Sequence, residues 1–304
     1  MSNRITPAML TSSTLDDLNA ALSKLERSAE ELSSGHSILE ASDNPYGASR
    51  TIDLQSQLDG LGSYAKGVTD GISWTNTASG AMANMNTVLQ RVRELMLQAG
   101  NDTNSAGDVK NLATVVGQLT ETVKQDANIK YGEQYLFSGT LTTTAPYAQG
   151  ENDEYHGNEG SIARAIAPGA TVTISTNIAS VLGNGKESGD GKLLDVLRTI
   201  QQHMNEGTAA AREELVGSDL KALDEGMEGL TQLQAMTGSA TNQLQVAATR
   251  IESLEGSIEK ALSNTYDTDV AKATIEYSNQ QAAYTAALHA GANIVQESLL
   301  NFLH

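Results

Sequence analysis

Two narrow apolar ladders, one close to each end, constrain this chain more than any other feature. Near the start, Leu15, Leu18, Leu22, Leu25, Ala29 and Leu32 step by three and four residues without a break. Near the finish, Val270, Tyr277 and Tyr284 recur every seven residues; Leu288, Val295 and Phe302 resume at that interval, with Leu299 between the last two. This spacing writes a seam along one side of an α-helix, and a narrow seam asks for a partner helix rather than a broad core. Fixing a backbone residue costs about 1–2 kcal/mol, whereas burying a leucine returns ~1.5–3 kcal/mol. With a large apolar residue at only about one position in three, such a helix does not sustain itself alone. Residues 1–40 and 265–304 are therefore expected to be poorly ordered in the monomer and helical once neighbours cover them.

Composition agrees with helices that pack on helices. Only 4% of residues are aromatic, with two Phe and one Trp, so the interior must be built from Leu, Val, Ile, Met and Ala. Nineteen basic against 37 acidic residues leave a formal charge of −18. No basic cluster offsets it, which argues against nucleic acid as a partner. There is no cysteine, hence no disulfide framework, thiolate metal site or cysteine nucleophile. No apolar run approaches the ~20 residues that cross a bilayer, so membrane insertion is not expected. The first thirty residues lack a signal-peptide apolar region, so export would follow another route.

Between the ladders the period of helices continues. Ser42-Asp43-Asn44-Pro45 reads as a helix start, with Asn44 or Asp43 capping and Pro45 at the first helical position. Apolar steps follow through Leu58, Leu61, Val68 and Ile72 and on to Met82, Met85, Leu89, Val92 and Met96. A third helix runs from about Val109 to Tyr131, another from Leu193 to Met204. A long one carries Leu220, Leu223, Met227, Leu230, Leu233, Thr237, Ala240 and Leu244; residues 218–262 as one helix would span about 65 Å. From Gly139 to Gly191 glycine becomes frequent, Pro146 and Pro168 appear, and Thr171-Val172-Thr173-Ile174-Ser175 alternates with period two, as in short strands.

The expected architecture is mainly α: a long helical rod or bundle with coiled-coil terminal helices and a small β-rich domain inserted mid-chain. Residues 1–42 and 265–304 form the terminal polymerisation region, 43–140 and 192–264 the bundle, and 141–191 the insertion. Returning helices pair with departing ones, which brings the termini together.

Several segments resemble the flagellin superfamily. Leu89-Gln90-Arg91-Val92-Arg93-Glu94-Leu95, then Gln98-Ala99 and Asn104-Ser105, are similar to its second-helix signature. Ser33-Ser34-Gly35 and Ser42-Asp43-Asn44-Pro45 resemble its amino-terminal pattern, with Asn44 where Asp is more usual. Tyr135-Leu136-Phe137-Ser138-Gly139-Thr140, with Thr142 and Pro146, resembles the hook–filament junction (third hook-associated) family, as does the stretch from Gln280 to Leu288 and Ser298 to Leu303. Tyr155-His156-Gly157-Asn158 is consistent with it.

That resemblance implies a non-catalytic, secreted structural protein, without cofactor or metal, placed extracellularly at the hook–filament junction. It implies a homo-oligomeric ring that meets the first hook-associated protein on one side and flagellin or the filament cap on the other. Export by the flagellar type III apparatus and a secretion chaperone on the C-terminal helix are implied likewise. The assembly interface is then carried by Leu15, Leu18, Leu22, Leu25, Leu32, Val270, Tyr277, Tyr284, Leu288, Val295, Leu299 and Phe302. Arg91 and Leu95 match flagellin positions read by an innate receptor, although a packed helix surface explains both as well. Rival readings are a flagellin-like filament subunit and an adhesin-type binding module in 141–191.

Other features point away from chemistry. His36, His156, His203, His289 and His304 are scattered, as surface or turn residues are. The glycine-rich run at 183–192 lacks the P-loop pattern, since Lys186 stands where its first glycine belongs and Leu193 where Ser or Thr belongs. Asp267 and Asp269 are expected to stabilise a helix N-terminus, and Trp74 to be a packing residue.

Overall fold

The computed structural model describes residues 7–101, 104–150, 152–185 and 189–302, with Pro7, Ala8, Leu10 and 294–302 as backbone. The helices are α1 (Pro7–Ser34), α2 (Pro45–Ala99), α3 (Ala106–Ala127), α4 (Ala179–Leu182), α5 (Leu193–Glu206), α6 (Ala209–Glu214), α7 (Leu220–Tyr266) and α8 (Val270–Phe302). Two antiparallel hairpins lie mid-chain: β1 (Lys130–Tyr131) with β2 (Gln134–Tyr135), and β3 (Ala163–Ala167) with β4 (Ala170–Thr173). Two compact units result, one from residues 1–60 and 253–304, the other from 61–252. The fold is mainly α, with a small strand region mid-chain.

In the 61–252 unit, α2 and α7 run antiparallel, and the cross-links between them descend in register. Arg93 Nε meets Asp224 Oδ1 at 2.8 Å, Asn86 Nδ2 meets Thr231 Oγ1 at 3.3 Å, Gln234 Nε2 meets the Ser79 carbonyl at 3.3 Å, and Thr241 Oγ1 meets Thr75 Oγ1 at 2.9 Å. Behind them lies one contiguous buried core that includes Trp74, Met82, Met85, Leu89, Val92 and Met96, every member between Val68 and Ile251. Trp74 is fully buried with its ring edge-on to Tyr131. Thr237, read from spacing as a step of the apolar ladder, is buried as a hydroxyl paired with Thr176 at 3.1 Å. Amphipathic α5 buries Leu193, Leu194, Val196, Leu197, Ile200 and Met204.

Helix ends follow local chemistry. Ser105 and Asp108 form a reciprocal capping box, so α3 begins at Ala106; it stops at Ala127 rather than Tyr131, because Lys130–Tyr131 turns into β1. α7 is preceded by a π-helical segment, Leu215–Asp219. There His203 Nδ1 lies 2.6 Å from Asp219 Oδ2, and Val216 sits where a side chain on Gly100 would collide.

Among the described residues of 139–191 the strands are β3 and β4, closed by Pro168-Gly169 with Gly169 at φ +74°. Side-chain clasps hold the rest. Lys124 of α3, fully buried, donates to the carbonyls of Gly150 (2.6 Å) and Asn152 (3.0 Å) and to Asp153 Oδ1 (2.9 Å). Arg198 of α5 reaches Asp153 Oδ2 at 2.8 Å and Glu121 Oε1 at 2.8 Å. Burial pushes the Asp153 carboxyl up, but hydrogen bonds from Arg198 and Lys124 outweigh it and hold the group below the usual carboxylate range.

Candidate functional site

The terminal unit is built from α1, α8 and the neighbouring parts of α2 and α7. Helix α1 ends because Gly35, at φ +74°, turns back to hydrogen-bond the Glu31 carbonyl at 3.0 Å. Asn44 then caps α2 by accepting from the Gly47 amide at 2.9 Å. Asp43 serves the loop instead: it accepts from the Leu39 and Glu40 amides and pairs with Arg27 at 2.6 Å. The Glu40 amide first, then the Arg27 guanidinium, hold its carboxyl below the ordinary range.

The α1–α2 and α7–α8 connections clasp each other. His36 stacks on Tyr266 with ring centroids 4.0 Å apart, the Ser37 amide donates to the Tyr266 carbonyl at 2.8 Å, and the Thr268 amide to the Gly35 carbonyl at 2.9 Å. Asp269 caps α8 through the amides of Ala271 (3.0 Å) and Lys272 (3.2 Å). Asp267, expected to do the same, lies in the bridge to His36 instead. His36, a half-exposed residue of the α1–α2 connection, is thus also a clasp residue, while His203 lies on α5 as a partner of Asp219.

From that clasp α1 and α8 pack antiparallel, with Gly35 beside Thr268 at one end and Thr14 against Gly291 further along. A Cβ added to Gly291 would lie 3.3 Å from Thr14 Cγ2, so the small residues of α8 do admit a close neighbour. Pairing nevertheless leaves the ladders only partly covered. Leu18, Leu22, Leu25, Leu32, Tyr277 and Tyr284 are half-buried, and Leu15 (57%), Val270 (59%) and Leu288 (43%) are exposed. Val295, Leu299 and Phe302 fall on α8, their side chains outside the described residues. Leu15, Leu18 and Leu288 line a cleft of about 260 Å³ with Thr11, Thr14, Gly291 and Ala292. Among the described residues this unit buries only Ser28, Ile38, Gly47, Leu54 and Ala273.

The receptor-like pair in the other unit divides. Arg91 is exposed and ion-paired with Glu94 at 2.7 Å, whereas Leu95 is 3% exposed and belongs to the core. Leu95 therefore presents nothing at the surface of its own unit.

The two junction-like motifs meet. Tyr155 Oη donates to the Phe137 carbonyl at 2.7 Å, the Asn158 amide donates to the Ser138 carbonyl at 3.1 Å, and Asn158 Oδ1 accepts from the Thr140 amide at 2.8 Å. Gly139 passes at φ +66° so close to Asn158 that a side chain there would strike its carbonyl. The spacing of Tyr155 and Asn158 gave no sign of this pairing.

Among the described residues no group of three or more His, Asp or Glu is placed to hold a metal, and no helix is long and apolar enough to cross a membrane. Residues 5–142 match the bacterial flagellin N-terminal helical region and residues 220–303 the C-terminal helical region. The chain is 28% identical over 302 residues to a flagellin of Bacillus subtilis, covering 95% of this chain and 96% of that one. Its fold is similar to a provisionally assigned flagellar hook-associated protein of Vibrio parahaemolyticus, with TM-score 0.68, 17% identity and coverage of 74% and 100%. It is also similar to the flagellar junction protein FlgL of Legionella pneumophila, with TM-score 0.58, 15% identity and coverage of 73% and 100%. These findings support a structural component of the flagellum. By its two terminal regions and its fold, the chain belongs to the flagellin-like superfamily.

Proposed function

We propose that this protein forms the junction between hook and filament, joining the first hook-associated protein to flagellin through helical packing of its termini. The carrying observation is the contrast between the two units. All of the contiguous core lies between Val68 and Ile251, while α1 and α8 expose or half-expose every described rung of their ladders. Helices so arranged gain stability from neighbours rather than from their own chain. Copies of this chain form a ring, with the first hook-associated protein on its hook side and flagellin or the cap on its outer side. The chain travels through the flagellar type III apparatus, escorted by a chaperone on its C-terminal helix.

The choice of junction over filament rests on the fold likeness to junction proteins and on the contact between Tyr135–Thr140 and Tyr155–Asn158. A second reading, a filament subunit, is favoured by the 28% identity to a flagellin over nearly the whole chain. Deletion separates the two. Loss of a junction protein leaves hooks intact and releases flagellin into the medium; loss of a filament subunit removes the filament without that release.

A further inference from the structure

The buried side of α7 has a strict period. Leu223, Leu230, Thr237, Leu244 and Ile251 are all buried and recur every seven residues, about two α-helical turns. One more step backwards falls on Val216. Yet Val216 is 46% exposed, and its neighbour Leu215 is fully buried in its place. Successive residues of an α-helix stand about 100° apart around its axis, so the buried face ahead of α7 is displaced by one residue.

The π-helical segment Leu215–Asp219 makes that displacement, because an i→i+5 turn takes in one residue more than an α-turn. Two sets of contacts fix the phases it joins. Downstream, Asp224 pairs with Arg93 of α2 at 2.8 Å, which holds α7. Upstream, Thr208 caps α6 by accepting from the Ala211 amide at 3.1 Å, and Arg212 donates to the Asn104 carbonyl at 3.1 Å. The segment itself is held at two points. His203 of α5 pairs with Asp219, whose side chain is only 9% exposed. Val216 lies over Gly100 at the end of α2, in space that a Cβ on Gly100 would fill.

We infer that Leu215–Asp219 is a register switch, latched by His203 and dependent on the bare backbone of Gly100. Latched, Leu215 faces the core and Val216 faces out. Released, residues 209–219 run into α7 as plain α-helix. Val216 then takes the buried place of its heptad position, Leu215 turns away, and the Arg212–Asn104 contact is given up. The exchange swaps one aliphatic side chain for another, so little apolar burial separates the two arrangements. The α2–α7 pairing persists throughout; only short α6 turns, which changes the face it presents to solvent. Packed helices shift between discrete registers in this way rather than deform continuously. The switch is independent of the junction reading, since all its contacts lie inside the 61–252 unit.

The chain has no cysteine, so single reporters read each register. Leu215→Cys and Val216→Cys are made in the full-length chain and labelled with a maleimide under native conditions. In the otherwise unaltered chain, position 216 labels readily and position 215 is protected. Adding His203→Ala, or separately Gly100→Ala, is expected to speed labelling at 215 and slow it at 216, each by about tenfold. Exchange of the two rates in either variant supports the switch. Deleting exposed Gly217 removes the extra residue and is expected to restore protection at 215 even beside His203→Ala. Fast labelling at 215 in the unaltered chain, unchanged rates in both variants, or a deletion that restores nothing overturns the inference. So does acceleration at both positions together, which is fraying rather than a change of register. Circular dichroism is recorded alongside: if His203→Ala loses helix signal, Gly100→Ala decides alone, and loss in both overturns the inference, since the released form is fully helical.

Discussion

Lys124 places its ammonium 2.9 Å from the Asp153 carboxylate with neither side chain more than 1% exposed, tying α3 to the mid-chain insertion. Arg198 closes the group from α5. Removing the carboxylate charge leaves Lys124 on two backbone carbonyls with Glu121 at 3.6 Å, and Arg198 with Glu121 as its carboxylate partner. Two buried or partly buried cations then share one remaining carboxylate, which costs more than the net worth of the pairs. Asp153→Asn should lower stability by about 3–5 kcal/mol, read from chemical denaturation of the whole chain. A change within error would show the insertion is held by other contacts.

The same carboxylate sets an acid response. Its folded pKa lies below the ordinary 3.8, so its contribution is complete above that value and is lost as pH falls through the lower folded one. Wild type should therefore lose stability on acidification below pH 3.8 more steeply than Asp153→Asn, compared by thermal melts.

Tyr155 gives the alkaline counterpart. Burial, with a smaller contribution from Glu159, pushes its phenol up to about 12 from 10.0. Its stabilising share is complete below pH 10.0 and lost as pH rises through about 12, so Tyr155→Phe should flatten the alkaline decline. Tyrosinate absorbance should show one delayed tyrosine fewer in that variant.

Gly139→Ala tests the motif lock. Its positive φ and the Asn158 carbonyl both reject a side chain. We expect a loss of about 1–3 kcal/mol, with changed near-ultraviolet signal from Tyr155 and little loss of helix. An unchanged melting curve would show that the loop yields without cost.

The ladders should behave differently from the core. Since Leu18 and Leu22 are only half-buried, replacing either by Ala should cost the monomer less than the ~2–5 kcal/mol of a fully buried leucine, while incorporation into flagella falls sharply. In free monomer, amides of 1–40 and 265–304 should exchange faster than those of 61–252. Uniform protection along the chain would contradict this.

What was legible beforehand was whatever repeats locally. The ladders of α1 and α8, the Asn44-Pro45 start and the apolar face of α5 each follow from spacing or capping chemistry within a few residues. Less local features escaped. The assignment of Asp269 to the cap and Asp267 to His36 depends on which chain segment passes nearby. The π segment at Leu215–Asp219 leaves no periodic trace, since Val216 is placed by Gly100 and Asp219 by His203, both far away in sequence.

Amino-acid order alone thus determined that the chain is mainly helical, that its ends carry narrow apolar seams, and that its middle carries strand-like alternation, because helix and strand periods are properties of neighbours. Tertiary structure decided that Leu95 is buried while Arg91 is exposed, that Lys124 and Asp153 form a buried ion pair, and that Thr237 of α7 meets Thr176 of the insertion. Those outcomes arise from contacts between residues tens to hundreds of positions apart, and only the folded arrangement of helices selects which of the many possible partners meet.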